Sequence, residues 1–220
     1  MYNYLWYLIV LIILFYLIYD TYRDGGFKET LKFVVIFGFL FIAIRTFLVQ
    51  PFMVDGPSMS PTFETGHYLL VNKLSNYFET PKRLDVVIFD IPDTEPQYHT
   101  CLIPNLISNS CLVTSKRYLI KRVVGLPGEK VSVMNGVTTI YNKENPNGFI
   151  LDESFVKHIS YISDERTLKE DEYYVMGDNR ANSSDSRYFG PVTFNKIVGS
   201  PLLRLWPIQY IGLKPGAVTE

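Results

Sequence analysis

Cysteine, histidine and an excess of positive charge are all scarce in this chain. Its 220 residues include two cysteines and three histidines, and 21 basic side chains face 22 acidic ones, for a formal net charge of −1. Two cysteines in a chain long enough for an ordinary core do not make a disulfide scaffold. Because no broad basic face is expected, nucleic acid is excluded as a partner.

Residues of the kinds that bind metals are equally sparse. His67, His99 and His158 are far apart in the sequence and lack the spacing of zinc ligands, so we expect no metal site. No two carboxylates stand in the matching contexts that an aspartic-protease pair needs. The sequence also lacks internal repeats and low-complexity tracts. Its length leaves room for one soluble domain of ordinary size, together with further segments.

Apolar residues are concentrated near the N-terminus. Residues 2–19 contain no charged side chain, and this length can cross a hydrocarbon core of about 30 Å as a helix. A cleaved signal peptide would have a basic start and small residues before its cleavage site, and this segment has neither. A second apolar run, 33–54, has Arg45 as its only charge. A buried core hairpin is the alternative, but the length and paired spacing of the runs favour transmembrane helices over 1–19 and 33–52.

The segment between the two runs sets the expected orientation. Residues 20–32 form a predicted polar loop with three basic side chains, and no charged side chain precedes the first run. Basic residues in short loops favour the cytoplasmic side, so residues 53–220 are expected outside the cytoplasm. An oxidising exterior permits a disulfide between Cys101 and Cys111, for which a pair of free thiols is the alternative.

Strand patterns replace helical ones after residue 55. Asn135-Gly136 separates two short apolar runs and predicts a hairpin, because both central positions of the favoured turn require positive φ. The sequence therefore predicts one all-β domain. Other runs rich in β-branched and aromatic residues, bounded by turn residues, are 68–71, 85–89, 173–176 and 197–198.

The first candidate catalytic residue is Ser58, in the stretch GPSMSPT at 56–62. A serine in a polar turn is usually structural, so this stretch alone indicates little. Its position distinguishes it, because Ser58 follows the second apolar run by only a few residues. The sequence thus predicts a nucleophile close to the membrane surface.

The second candidate is Lys121, in the strand-like stretch YLIKRVVGLPGE. Alternation along a strand places Lys121 on the same face as Leu119 and Val123, with Arg122 on the other face. Apolar neighbours desolvate an amine and favour its neutral form, which can accept a proton from a serine hydroxyl. An exposed lysine on a strand is the alternative.

A third stretch, GDNRANSSDSR at 177–187, is dense in turn-forming and hydrogen-bonding residues. A surface loop with Asx turns is one interpretation. In a functional interpretation, Ser183 orients the amine of Lys121, and Asp185 pairs with Arg187 to hold the shape of the loop.

Together these stretches resemble the type I signal peptidase family, membrane-bound proteases that use a serine and a lysine to remove signal peptides from exported proteins. GPSMSPT is followed by GHYLLVNK, then by YLIKRVVGLPGE and GDNRANSSDSRYFGPV, in the order that the family shows. The resemblance spans roughly residues 45–201. It implies a mostly antiparallel β catalytic domain of the signal peptidase/LexA-like type, anchored by the two N-terminal helices.

The resemblance also implies roles for single residues. Ser58 matches the nucleophile, Lys121 the general base and Ser183 the residue that helps to orient the lysine. Asp185 and Arg187 match a supporting ion pair.

Further positions of the same boxes complete the implied site. Asp178 and Arg180 match supporting residues of the last box, and the backbone N–H of Ser58 would be one oxyanion donor. Some members carry a serine two residues before the nucleophile as a second donor. Gly56 occupies that position here and has no side-chain donor.

The substrates and location implied by the resemblance are those of the family. Partners would be exported preproteins with Ala-x-Ala-type cleavage sites and the lipid bilayer, with the secretion translocon as a further candidate. The protein would be a multi-pass protein of the bacterial cytoplasmic membrane, with its catalytic domain on the extracytoplasmic (periplasmic) side. No cofactor is implied.

Two alternatives remain open at the level of sequence. One is a LexA-like self-cleaving Ser/Lys protein, against which the two apolar runs argue, because such proteins are soluble. The other is a catalytically inactive membrane-anchored β module, against which the presence of both Ser58 and Lys121 argues.

Overall fold

The chain divides into two compact units, Met1–Leu48 and Val49–Glu220. The computed structural model describes residues 2–43, 49–74, 79–92, 97–99, 111–113 and 116–218.

The first unit contains helix α1, Tyr2–Ala43, which is interrupted only at Gly26. Gly26 has φ 69° and ψ −172°, a conformation open to glycine because it has no Cβ. Residues 20–32 are helical on both sides of this kink, so the prediction of a loop there was wrong. Polar composition does not end a helix, and the exposed ion pair of Arg23 with Asp20, at 3.0 Å, spans one helical turn.

The end of the second apolar run also differs from the prediction. Helix 33–52 was expected, but Val49–Met53 is a strand that includes Pro51. Proline lacks the N–H that a helix interior needs, whereas it is tolerated on an edge strand such as this one. Within the described part of the chain, no helix combines the length and the apolar character needed to cross a bilayer.

The second unit is built from strands, with short helical turns. Its helix α2 is Ser186–Phe189, and 3₁₀ turns occupy Arg180–Asn182, Phe194–Lys196 and Ile208–Tyr210. The strands are β1 Val49–Met53, β2 Tyr68–Asn72, β3 Val86–Pro92, β4 Gln97–His99, β5 Cys111–Val113, β6 Lys116–Gly125, β7 Lys130–Met134, β8 Val137–Tyr141, β9 Phe149–Ile150, β10 Asp164–Thr167, β11 Glu172–Met176, β12 Val192–Thr193, β13 Ile197–Trp206 and β14 Gly212–Leu213.

These strands form antiparallel sheets, which confirms the predicted mostly β architecture. The large sheet has the order β1-β2-β13-β3-β6-β11-β12, with β14 added to β13. A second sheet has the order β10-β7-β8-β9, and β4 pairs with β5. The predicted hairpin joins β7 to β8, with φ of 51° at Asn135 and 81° at Gly136.

A buried cluster anchors the loop between β1 and β2, residues 54–67. Met59 and Phe63 are fully buried in this loop and pack with Leu69 and Val86. Burying one such side chain contributes about 1.5–3 kcal/mol. The loop is also closed by two backbone hydrogen bonds of 2.9 Å, from Val54 N to His67 O and from Gly66 N to Val54 O. Buried side chains and backbone hydrogen bonds therefore hold the loop that carries Ser58 against the sheet.

Candidate active site

Ser58 lies in the anchored loop, one residue before the fully buried Met59. Its carbonyl accepts a hydrogen bond of 3.0 Å from Asn179 N, which joins the loop to the stretch that follows β11. Two residues earlier, Gly56 has φ 93°, a conformation that L side chains rarely adopt. Glycine therefore suits the backbone conformation at position 56. Because glycine has no side chain, this position offers no side-chain oxyanion donor.

Lys121 lies on β6, between β3 and β11 in the large sheet. Its Nζ lies 2.7 Å from Ser58 Oγ and donates a second hydrogen bond of 2.9 Å to Ile120 O. The side chain is 2% exposed. The two residues that the sequence singled out, 63 positions apart, are therefore in direct contact.

Burial lowers the pKa of Lys121 from 10.5 to about 8, because the charged amine is separated from water. This net value also includes Asp185 and Asp178, which raise the pKa by favouring the charged form, and Arg117, which lowers it. At pH 7 about one Lys121 in ten is then neutral, compared with about one in three thousand for an ordinary lysine. The site therefore supplies a usable base at neutral pH.

The predicted apolar face of β6 provides this burial. Val123 is fully buried and Leu119 packs in the same cluster, which also holds Val87 and Phe89 of β3. Val87 is the direct cross-strand partner of Lys121. The lysine stem thus emerges from an apolar surface, as the alternation pattern predicts.

Asp185 and Arg187 form the predicted ion pair. Arg187 Nε and Nη2 donate to the two carboxylate oxygens of Asp185, each at 2.8 Å, and both side chains are fully buried. Asp185 also caps α2 and accepts a hydrogen bond of 3.1 Å from Gly177 N. One buried carboxylate therefore ties both ends of the loop that joins β11 to α2.

Asp178 is paired with Arg122, a contact that sequence reasoning missed. Arg122 Nε and Nη2 donate to its carboxylate at 2.8 Å and 2.6 Å, and both side chains are 1% exposed. Thr62 Oγ1 donates to the same carboxylate at 2.5 Å. Asp178 thereby joins the serine loop to the lysine strand. Alternation along the strand predicts that Arg122 lies on the opposite face from Lys121. Nothing else in the sequence indicates which carboxylate Arg122 pairs with.

Arg180 pairs with Glu153, which lies outside every stretch that the sequence singled out. Arg180 Nη2 and Nη1 donate to Glu153 Oε1 and Oε2 at 2.6 Å and 2.9 Å. Arg180 Nε also donates to Gly177 O at 3.0 Å. Nothing in the sequence around Glu153 indicates this contact.

Ser183 is buried close to Ser58 but does not contact the lysine amine. Within the described residues, Ser183 Oγ has no hydrogen-bond partner, and the amine of Lys121 donates instead to Ile120 O and Ser58 Oγ. No hydrogen bond between Ser183 Oγ and the amine of Lys121 is thus formed in the described part of the chain. An orienting role for Ser183 stays a prediction.

Gly177 explains how closely these parts approach one another. A Cβ at this position would overlap both the carbonyl oxygen of Ser58 and Oγ of Ser183. Only glycine allows the two backbones to lie this close without displacement. This residue was within a predicted functional loop, but its steric role follows only from the structure.

A largely apolar cleft opens beside Ser58 and Lys121. Its walls come from the end of β1 and the residues that follow it, from neighbouring strands, and from β6. The rings of Phe52 and Tyr118 meet edge to face across it, with centroids 5.3 Å apart. Its remaining lining residues are Met53, Val54, Asp55, Leu69, Ile88, Leu119 and Ile120.

The predicted disulfide lies partly outside the described residues. Cys111 begins β5, but Cys101 falls in a segment that is not described. The pairing of Cys101 with Cys111 therefore stays a prediction.

Comparison with known proteins gives one consistent result. The model of the family described as signal peptidase, peptidase S26, matches residues 27–206. A signal peptidase I of Leptolyngbya laminosa is 32% identical over 190 residues, which are 86% of this chain and 84% of that protein. Signal peptidase I V of Bacillus subtilis (strain 168) is 34% identical over 175 residues, 73% of this chain and 88% of that protein.

One solved structure is also similar. A signal peptidase I from Enterococcus faecalis V583 shares 25% identity, and the superposition covers 56% of this chain and 97% of that one. Its TM-score of 0.38 is too low to support a conclusion about the fold.

Proposed function

The chain belongs to the signal peptidase family, peptidase S26, and from this membership we propose that Ser58 and Lys121 are the dyad with which it cleaves signal peptides from exported preproteins. The observation that carries the proposal is the 2.7 Å contact between Lys121 Nζ and Ser58 Oγ, with Lys121 only 2% exposed as a residue. A buried neutral amine in contact with an alcohol is the arrangement that activates a serine nucleophile.

The proposed reaction is acyl transfer in two halves. Neutral Lys121 accepts the proton of Ser58, whose oxygen attacks the carbonyl carbon of the signal peptide's last residue. The resulting oxyanion accepts a hydrogen bond from Ser58 N–H. The ammonium of Lys121 then gives its proton to the departing amine of the mature protein, which leaves an ester on Ser58. Lys121 next deprotonates a water molecule, whose oxygen attacks the ester carbonyl; the ammonium then returns the proton to Ser58 Oγ as the ester bond breaks, and the signal peptide is released with both residues in their starting state.

Two buried ion pairs support the geometry of this dyad. The pair of Asp178 with Arg122 joins the serine loop to the lysine strand, and the pair of Asp185 with Arg187 shapes the loop behind Ser58. Bidentate arginine–carboxylate pairs are directional as well as strong, which suits them to this role. The carboxylates of Asp185 and Asp178 also raise the pKa of Lys121, so they limit how far burial lowers it.

The proposed substrates are exported preproteins with Ala-x-Ala-type sites. The cleft beside the dyad is largely apolar and is lined by Phe52 and Met53 at the end of β1, the edge strand of the large sheet. An edge strand can pair with an extended peptide, and adjacent apolar pockets then accept alternate side chains. Small apolar side chains before the scissile bond fit this arrangement.

We further propose that the N-terminal unit anchors the protein in the bacterial cytoplasmic membrane. Residues 2–19 carry no charge, and the run 33–54 has Arg45 as its only charge, whereas the segment between them is polar. Two spans joined on the cytoplasmic side would place Val49–Glu220 on the extracytoplasmic side. The lipid bilayer is then a partner of the N-terminal unit, and the secretion translocon is a candidate partner.

The test is cleavage of a purified precursor by the full chain in detergent. The wild-type protein should cut after an Ala-x-Ala site, and Ser58→Ala and Lys121→Ala should each lower the rate by about 10⁴-fold or more. Lys130→Ala is the matched control, because this lysine is 42% exposed on β7 and should leave the rate unchanged.

Each contrary outcome has a distinct meaning. Appreciable turnover by Lys121→Ala would refute the proposed base. An intact precursor after long incubation with wild-type protein would favour the inactive β module. Cleavage of the chain itself, with the precursor left intact, would favour a self-cleaving Ser/Lys protein.

A further inference from the structure

We propose that Glu153, which lies outside the three sequence boxes, is a positioning residue for the nucleophile and acts by holding Arg180 in the loop behind Ser58. This inference rests on the proposed function, since it concerns the rate of the same reaction. It assigns a catalytic consequence to the segment between β9 and β10, where sequence reasoning found no functional residue.

The first link is the pair of Glu153 with Arg180. Both guanidinium Nη atoms contact the carboxylate, at 2.6 Å and 2.9 Å, and the side chains are 12% and 5% exposed. Thr138 Oγ1 donates to the same carboxylate at 3.0 Å. A fork of two charge-assisted hydrogen bonds fixes the plane of the guanidinium as well as its position.

The second link runs from Arg180 to its own loop. Arg180 Nε donates to Gly177 O at 3.0 Å, and Arg180 O accepts a hydrogen bond of 2.8 Å from Arg187 Nη2. The side chain and the backbone of Arg180 are therefore both attached to parts of the loop behind Ser58. A displaced guanidinium would release Gly177 O.

The third link runs from the loop to the nucleophile. Asn179 N donates to Ser58 O at 3.0 Å. Gly177 lies so close to Ser58 O that a Cβ there would overlap it. Movement of this loop is thus transmitted to the backbone of Ser58, whose Oγ must stay within 2.7 Å of Lys121 Nζ. A misplacement of about 1 Å can lower a rate by about 10²-fold.

A second contact holds the same segment against the loop. His158 O accepts a hydrogen bond of 3.2 Å from Ala181 N, and His158 forms an isolated parallel bridge with Asn179. His158 therefore contacts the loop on both sides of Arg180, at Asn179 and Ala181, whereas Glu153 contacts Arg180 itself. The loop is held between the segment that carries Glu153 and the backbone of Ser58.

The experiment compares Glu153→Gln with wild type in full-length protein cleaving a precursor. Glutamine keeps the size of the side chain and one acceptor oxygen. It carries no charge, and its amide nitrogen cannot accept the second hydrogen bond from Arg180. We expect kcat to fall by roughly 10- to 100-fold, and KM to change by less than about threefold, because the peptide cleft is not altered. Glu165→Gln is the matched control, since Glu165 pairs with Lys130 at the surface of the second sheet and should not change kcat.

A double variant separates positioning from a general loss of stability. If Glu153 acts through Arg180, adding Glu153→Gln to Arg180→Gln should lower kcat no further than Arg180→Gln alone. Independent, multiplying effects would overturn the proposal, as would a wild-type kcat in the single variant. Should Glu153→Gln fail to fold, Glu153→Asp takes its place, because it keeps the charge and shortens the reach by one methylene.

A readout that needs no turnover distinguishes this proposal from the proposed function. Hydrogen exchange at the Asn179 amide reports its bond to Ser58 O, and we expect faster exchange in Glu153→Gln than in Glu165→Gln. A wild-type chain that does not cleave the precursor would refute the proposed function alone. Unchanged exchange at Asn179 would refute the positioning role whatever the activity.

Discussion

The surroundings of Lys121 must keep its amine neutral and must also give that amine hydrogen-bond partners. A neutral amine needs burial, and the apolar faces of β3 and β6 provide it. Buried amines without polar contacts are costly, and Nζ has Ile120 O and Ser58 Oγ as partners. The carboxylates of Asp185 and Asp178 favour the charged form and raise the pKa, but burial has the larger effect and lowers it. The net result is a pKa of about 8.

This pKa predicts the pH dependence of the reaction. The neutral amine is the reactive form, so kcat/KM should rise about tenfold per pH unit below 8 and level off above it. An exposed lysine would instead give a rise that continues to about 10.4. Precursor cleavage measured from pH 6 to 10 checks this, with Lys130→Ala as a control that should show the same midpoint. A midpoint close to that of an exposed lysine would contradict the burial of Lys121.

At the scale of elements, the loop between β11 and α2 brings the parts of the site together. It contacts the serine loop through Asn179, the lysine strand through Asp178 and the segment between β9 and β10 through Arg180. Glycine at its start allows the close approach to Ser58. The loop is short, so its internal ion pair, Asp185 with Arg187, is predictable from spacing, whereas its outward contacts are not.

Gly177→Ala tests this close approach. Its methyl group would overlap Ser58 O and Ser183 Oγ, so the loop or the nucleophile must move. We expect a loss of about 1–3 kcal/mol in the free energy of unfolding, as for other overpacked sites, and a fall of about 10²-fold in kcat/KM.

Gly212→Ala is the control for this substitution. A Cβ at residue 212 meets only Tyr210 O, at 4.0 Å, so both stability and activity should remain close to wild type. Thermal unfolding and precursor cleavage measure the two effects. Full activity of Gly177→Ala would show that contact between the two backbones does not position the serine.

At the scale of the whole molecule, the proposed anchor predicts the topology of the chain. Cysteine is introduced singly at exposed positions, Glu29→Cys and Lys143→Cys, in a background with Cys101→Ser and Cys111→Ser. In intact cells stripped of any outer barrier, a membrane-impermeant maleimide should label Lys143→Cys. It should label Glu29→Cys only after the membrane is permeabilised, because the segment 20–32 lies on the cytoplasmic side.

The reverse labelling pattern would invert the proposed orientation. Labelling of both cysteines in intact cells would contradict a hairpin of two spans. The same reagent, applied to the wild-type protein without reductant, tests the predicted disulfide, since bridged Cys101 and Cys111 would not react.

Features that depend only on residues close together in the sequence were predictable. The hairpin at Asn135-Gly136 follows from the φ angles that its turn requires, and the burial of Lys121 follows from alternation along a strand. The resemblance supplied the contact between Ser58 and Lys121. The loop predicted over 20–32 was wrong because charged residues are compatible with helix, and only Gly26 leaves the helical conformation.

Residue types and their local order by themselves determined the chemistry available to this protein: a serine in a tight turn, a lysine on an apolar strand face and a loop rich in paired charges. Tertiary structure alone decided which charges that are distant in the sequence meet. Arg122 and Asp178 are 56 positions apart, and Arg180 and Glu153 are 27 apart. Such pairs depend on the path of the chain through two sheets, and a carboxylate carries no local pattern that names its distant partner. The low pKa of Lys121 likewise exists only once strands from separate parts of the chain exclude water from its amine.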